Sequence, residues 1–173
     1  MRTEIRIAGT GGMGVVLAGV ILGHAAVVYG NLNAVQSQSY GSEARGTAAK
    51  SEVIISDEPI KYPKVRQSDY FIAMSQKALD MYLQDAKGGS VIIADPDLVK
   101  TDAVKGYTVV KVPAMKTADE LGLRLVSNMV MLGAFVQKSE IFSLDILEKA
   151  IVEILGSRAQ MNIEAIRAGA REV

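Results

Sequence analysis

The chain has 173 residues, 49% of them apolar, with 19 Lys and Arg against 19 Asp and Glu and no cysteine. That length and apolar fraction predict a single globular domain over residues 1–173. Zero net charge with dispersed basic residues excludes the electrostatic footprint of a nucleic-acid binder, and the lack of cysteine excludes a thiolate-held iron-sulfur cluster, a thiol nucleophile and any disulfide framework.

From the N-terminus, Glu4 to Ala8 reads as a short strand, because Ile5 and Ile7 alternate with charged residues. The glycine-rich turn Gly9-Thr-Gly11-Gly12-Met-Gly14 follows, and an apolar helix is predicted from Val15 to about Val28, stopped by Gly30-Asn31. Strand, Gly-x-Gly-x-x-Gly and helix in that order let the backbone turn sharply and aim amides at an anion. Close packing of strand on helix explains the same glycines without a ligand. A dinucleotide site also needs an acidic residue at the end of the second strand. That strand is predicted over Leu32 to Gln36 and ends in Gln36-Ser37-Gln38.

The apolar run from Met13 to Val28 falls short of the ~20 residues that span a bilayer, and a strand with Glu4 ahead of it does not suit a signal peptide. A buried helix and a cytoplasmic location are expected, with no membrane partner. The sole histidine, His24, lies in this helix with no evident partner carboxylate, so a packed or hydrogen-bonded histidine is expected rather than a general base.

Gln36 to Thr47 reads as a polar loop carrying Tyr40, Gly41, Ser42, Glu43, Arg45 and Gly46. Arg45 could grip a carboxylate or phosphate, or it could pin the loop to its own domain. Strands are predicted over Ala48 to Ser56, Tyr70 to Met74, Ser90 to Ala94 and Tyr107 to Val112, with a short edge strand at Ile60 to Val65. Lys61, Lys64 and Arg66 suit a solvated edge. Ser75 is placed to cap a helix carrying Leu79, Tyr82 and Leu83, ended by Gly88-Gly89. Thr117-Ala-Asp-Glu120 matches a capping box for a helix with Leu121, Leu125, Met129, Leu132 and Val136 along one side. Asn128 falls on that apolar side, where a buried amide needs a partner; a neighbouring loop and a ligand are the two candidates. Ser143 to Leu155 and Met161 to Arg171 read as the last helices, and the eight methionines suit a core or a subunit interface. The fold class that follows is α/β: a three-layer, Rossmann-like sandwich with a mostly parallel or mixed sheet, helices on both faces and a helical C-terminal third.

The I-A-G-T-G-G-M-G opening, the Y-G-S-E-A-R-G loop, the V-I-I-S-D strand end and Asn128-Met-Val-Met-Leu-Gly133 resemble, in order and spacing, the gamma subunit of 2-oxoacid:ferredoxin oxidoreductases over nearly the whole chain. The pyruvate, 2-oxoglutarate, branched-chain and indolepyruvate enzymes share that subunit. Met13 stands where members commonly have glutamine, and Thr47 where they have a second glycine. The resemblance implies an enzyme that decarboxylates a 2-oxoacid on thiamine diphosphate and magnesium, passes electrons through iron-sulfur clusters to ferredoxin, and transfers the acyl group to coenzyme A. It implies alpha, beta and delta subunits as partners, with those cofactors on the complex and none on this chain, which carries no catalytic residue and no metal ligand. Gly9, Gly11, Gly12, Gly14, Tyr40, Ser42, Arg45, Gly46 and Asn128 are then the candidate coenzyme A-side or interface rim. Without its partners, a homodimer could bury the exposed apolar surface. A free-standing dinucleotide-binding oxidoreductase and a non-enzymatic interaction module are the alternatives.

Overall fold

Six strands hydrogen-bond into one mixed sheet whose order, β2-β3-β1-β4-β5-β6, leaves β1 in the middle. The structure is a computed structural model and describes residues 1–40 and 48–173. The strands are β1 (Arg2–Gly9), β2 (Asn33–Ser39), β3 (Ala49–Ser56), β4 (Ser68–Ala73), β5 (Ala86–Ala94) and β6 (Thr108–Lys111). The helices are α1 (Val15–His24), α2 (Gln76–Tyr82), α3 (Ala114–Leu121), α4 (Ser127–Ser139), α5 (Leu144–Leu155) and α6 (Ala159–Arg171). β1, β4, β5 and β6 run parallel, whereas β3 is antiparallel to both β1 and β2. The carboxyl ends of the four parallel strands therefore share one rim.

Alternation along β1 sorts its side chains between two layers. Ile5 and Ile7 join Val53, Ile55, Ile72 and Ile93 in the larger core, under α1, α4, α5 and α6. Ala8 faces the smaller core with Phe71, Ile92 and the α2 residues Ala78 and Leu79. Arg6 also points to the α2 side and is only 2% exposed. Its cross-strand neighbour Glu52 accepts from Arg6 Nε at 2.7 Å, the Asp85 carbonyl accepts from Nη1 at 3.1 Å, and the Tyr82 ring lies 6.0 Å away. The charge alternation that marks this strand in the sequence thus hides a buried ion pair.

The C-terminal third packs through glycine. A Cβ at Gly133 of α4 would lie 2.0 Å from the Ile166 carbonyl oxygen, and one at Gly169 of α6 would lie 1.8 Å from that of Val130. The two helices touch backbone to backbone, and α4 is buried from Ser127 to Val136. Gly19 lets α1 approach β3, where a Cβ would meet the Ser51 side chain at its Oγ.

The α/β sandwich with helices on both faces is present, and several local expectations need correction. The Val15 helix continues from α1 into a π-helical turn, Ala25–Tyr29. β2 reaches Ser39, so the first residues of the supposed polar loop are strand. Residues 60–65 form no strand: Arg2 Nη2 donates to the Tyr62 carbonyl at 2.7 Å and Arg66 N to Glu4 Oε1 at 3.2 Å, tying the segment to β1 through side chains. The Ser75 cap holds, its Oγ accepting from Ala78 N at 3.1 Å, but the helix passes into a 3-10 turn at Leu83–Asp85. Gly88 and Gly89 lie within β5, where Gly89 adopts φ 81°.

The capping box is also corrected. α3 begins at Ala114, because Asp95 at the end of β5 accepts from Met115 N at 2.9 Å and so caps the helix from another element. Thr117 sits inside the helix and donates to Glu172 instead, at 3.0 Å. Gly122, at φ 97°, then stops α3, and a separate helix starts at Ser127. Leu125, expected on the apolar stripe, falls in the intervening 3-10 turn Arg124–Val126 and is 72% exposed.

Candidate functional site

The glycine turn sits at the carboxyl end of β1, where open α/β sheets place ligands. Gly9 is buried, and a Cβ there would lie 3.0 Å from Met13 Sδ and 3.1 Å from Met74 Cβ, so it serves packing. Gly11 and Gly12 are exposed with open space where a Cβ would be, and Gly12 has φ 85°. Gly14 precedes α1 at φ 72°, and no side chain among the described residues caps the helix.

Asn128 explains Gly14. Its Nδ2 donates to the Gly14 carbonyl at 3.0 Å, and its Oδ1 accepts from Met129 N at 2.9 Å. A Cβ on Gly14 would come within 2.4 Å of that Nδ2. The buried amide is therefore spent on the loop, fixing the start of α1 against the start of α4. Asn128 and the glycines come together as expected. Tyr40 is exposed at the end of β2, while Ser42, Arg45 and Gly46 lie outside the described residues.

Residues that the motifs did not mark complete the surroundings. A groove of about 470 Å³ beside Gly12, Gly14 and Asn128 is walled by Leu17, Leu123, Leu125 and Met161 and edged by Arg158. Arg158 is exposed, and its guanidinium has no ion-pair partner among the described residues. Leu123 and Leu125 are both exposed, and Arg124 between them bonds Asp119 through two contacts of 2.9 Å. That clamp holds the Asp119 carboxyl below its ordinary range, chiefly by hydrogen bonding. The one sequence signal for this wall is Gly122 between apolar residues, which interrupts a helix and turns its next leucines outward.

Two features separate this rim from a dinucleotide site. β3 lies between β1 and β2, so the end of β2, where a ribose-binding acid belongs, is one strand too far from the glycine turn. Met13, Met74, Met115 and Met131 also line a small closed space over the strand ends, filling part of the crevice with side chains.

Away from the rim, His24 does have a carboxylate. Its Nε2 lies 2.9 Å from Glu153 Oε2 on α5, and the Tyr29 hydroxyl donates to the same oxygen. Sequence separation hid the pair. The hydrogen bonds from Tyr29 and His24 hold the Glu153 carboxyl below its ordinary range, and the bond to Glu153 raises the Tyr29 phenol.

A family model described as pyruvate ferredoxin/flavodoxin oxidoreductase matches residues 4–172. The chain belongs to that family. It is 51% identical over 156 residues to 2-oxoglutarate synthase subunit KorC of Methanocaldococcus jannaschii, covering 88% of this chain and 83% of the relative. It superposes on the keto/oxoacid ferredoxin oxidoreductase gamma subunit of Geobacter sulfurreducens with TM-score 0.89 and 39% identity, over 99% of this chain and 96% of the other. A 2-oxoglutarate:ferredoxin oxidoreductase from Magnetococcus marinus, solved with 2-oxoglutarate, coenzyme A and succinyl-CoA bound, matches with TM-score 0.87 and 25% identity. That match takes 99% of this chain and 31% of the longer one. This family member is a gamma subunit of a 2-oxoacid:ferredoxin oxidoreductase, a multi-subunit enzyme. Among the described residues no helix is long and apolar enough to cross a membrane.

Proposed function

We propose that this gamma subunit serves an enzyme that converts 2-oxoglutarate to its acyl-CoA, and that the glycine rim faces the complex on the coenzyme A side. The 2-oxoglutarate synthase relatives support that substrate. The thiamine diphosphate, magnesium and clusters belong on alpha, beta and delta-type partners, since a chain without cysteine cannot hold a thiolate cluster, and ferredoxin is met through those partners. One gamma-type domain, in the cytoplasm, is the unit proposed.

The groove beside Gly14 is the observation that carries the rim's role. Its exposed leucines would be covered by a partner subunit, and its chemistry suits coenzyme A. The Arg158 guanidinium and the uncapped amides of α1 fit phosphates, and Leu17, Leu123 and Met161 fit an uncharged arm. Arg45 would add a second cation. In the reconstituted enzyme, Leu125→Asp is expected to weaken assembly, and Arg158→Ala and Arg45→Ala to raise the KM for coenzyme A with kcat little changed. Unaltered assembly and coenzyme A dependence in all three variants would overturn the rim's role.

A further inference from the structure

From Ile7 to Ser42 the chain carries no Asp, Glu, Lys or Arg, although 22% of the whole chain is charged. That run includes α1, the π-helical turn and β2. Much of it is core, but part is surface: Val20, Val27 and Val28 are 39%, 49% and 51% exposed. With Gly23, His24, Ala34 and Gln36 these valines line a shallow concavity of about 320 Å³ on the flank of the sheet, which shares no lining residue with the groove at the glycine rim.

The strand beside this patch is an edge. β2 pairs with β3 on one side and with no other described strand on the other. Exposed edges in stable proteins are commonly guarded by charge, proline or a bulge. β2 has none of these: Asn33-Ala-Val-Gln-Ser-Gln-Ser runs in continuous register along β3. A strand edge without charge, proline or bulge, next to a partly apolar flank that lacks Asp, Glu, Lys and Arg, is the combination that strand addition uses.

We propose that β2 pairs antiparallel with β2 of a second copy of this chain, about a two-fold axis at Gln36, joining the two sheets and bringing their Val20 and Val27 flanks together. Gln36 is the middle of the strand, so this register makes the longest ladder. It sets Val35 against Ser37 and Ala34 against Gln38, with no like charges opposed. A two-fold contact needs a surface complementary to itself, and a strand and flank with no Asp, Glu, Lys or Arg, whose one histidine is already bonded to Glu153, satisfy that, whereas a charged partner surface would lose its hydration there without gaining a counter-ion.

The absence of cysteine makes the test direct. Directly opposed residues of antiparallel strands have Cβ atoms about 4.5–5.5 Å apart, near the range of a disulfide. Gln36→Cys in the full chain, alone and within the native enzyme, is expected to form a disulfide-linked dimer of this chain on mild oxidation, while Glu120→Cys, on exposed α3 surface, does not. Ser37→Lys and Val27→Asp alter exposed side chains and are each expected to weaken the dimer by roughly tenfold or more in sedimentation, with the circular dichroism spectrum unchanged. A monomeric parent chain, a dimer indifferent to both substitutions, or a link from position 36 to a different polypeptide would each overturn the proposal.

Discussion

Asn128 closes the gap between two distant parts of the chain, and its worth can be measured. Truncation to alanine removes one of the two hydrogen bonds that the Gly14 carbonyl accepts, leaving the one from Ala18 N, and is expected to lower unfolding free energy by about 0.5–1.5 kcal/mol in urea. Gly14→Ala forces a side chain into a left-handed conformation and against Asn128. Its penalty should be smaller in the Asn128→Ala background, because one of its two causes is then gone. Equal penalties in both backgrounds would show that the contact does not set the loop. Arg6 is the more severe case. Arg6→Ala leaves Glu52 beside an empty, buried position and is expected to cost about 3–5 kcal/mol. Glu153 adds a pH dependence. Its pKa is depressed in the fold, so its contribution is present above the unfolded value, ~4.3, and is lost as pH falls through the lower folded value. Glu153→Gln should therefore flatten the stability curve below that pH, which acid titration of both proteins can read.

Between elements, helix contact depends on side chains that are missing. Gly133→Ala and Gly169→Ala each place a methyl against a carbonyl across the α4–α6 crossing, and each is expected to destabilise by about 1–3 kcal/mol or more. Because both open the same crossing, the double variant should cost less than the sum, which denaturation of the three variants tests. The alternation of strand and helix was legible in the sequence because apolar period and turn chemistry agree over β1, β3, β4 and β5. Ser75 was legible as a cap because its partner, Ala78, is local. Asp95 was not, since the helix amide it accepts from, Met115 N, lies 20 residues later in the chain, and the adjacent Thr117 to Glu120 pattern is a local match without the geometry. Residues 60–65 misled in a related way: their charges read as a guarded edge strand, but side-chain bonds to β1 hold them instead. The position of β3 between β1 and β2 depends on long-range pairing that no local pattern carries.

For the molecule as a whole, the glycine turn has a structural assignment in Gly9 and Gly14, while Gly11 and Gly12 stand open at a rim with exposed leucines and the exposed Arg158. Asn128 and the glycines could be joined from the sequence by a buried amide's need for a partner; Arg158 could not, because nothing near Gly156 marks it as belonging beside Gly12. A subunit with this rim, and with no cysteine of its own, derives its role from what it assembles with. The most direct measurement is therefore native purification of the affinity-tagged chain, assayed for ferredoxin reduction that depends on both 2-oxoglutarate and coenzyme A. Co-purification with thiamine- and cluster-bearing subunits, with that activity lost when the chain is omitted on reconstitution, is the predicted result. A chain that purifies without such partners, or an enzyme equally active without it, would contradict the assignment.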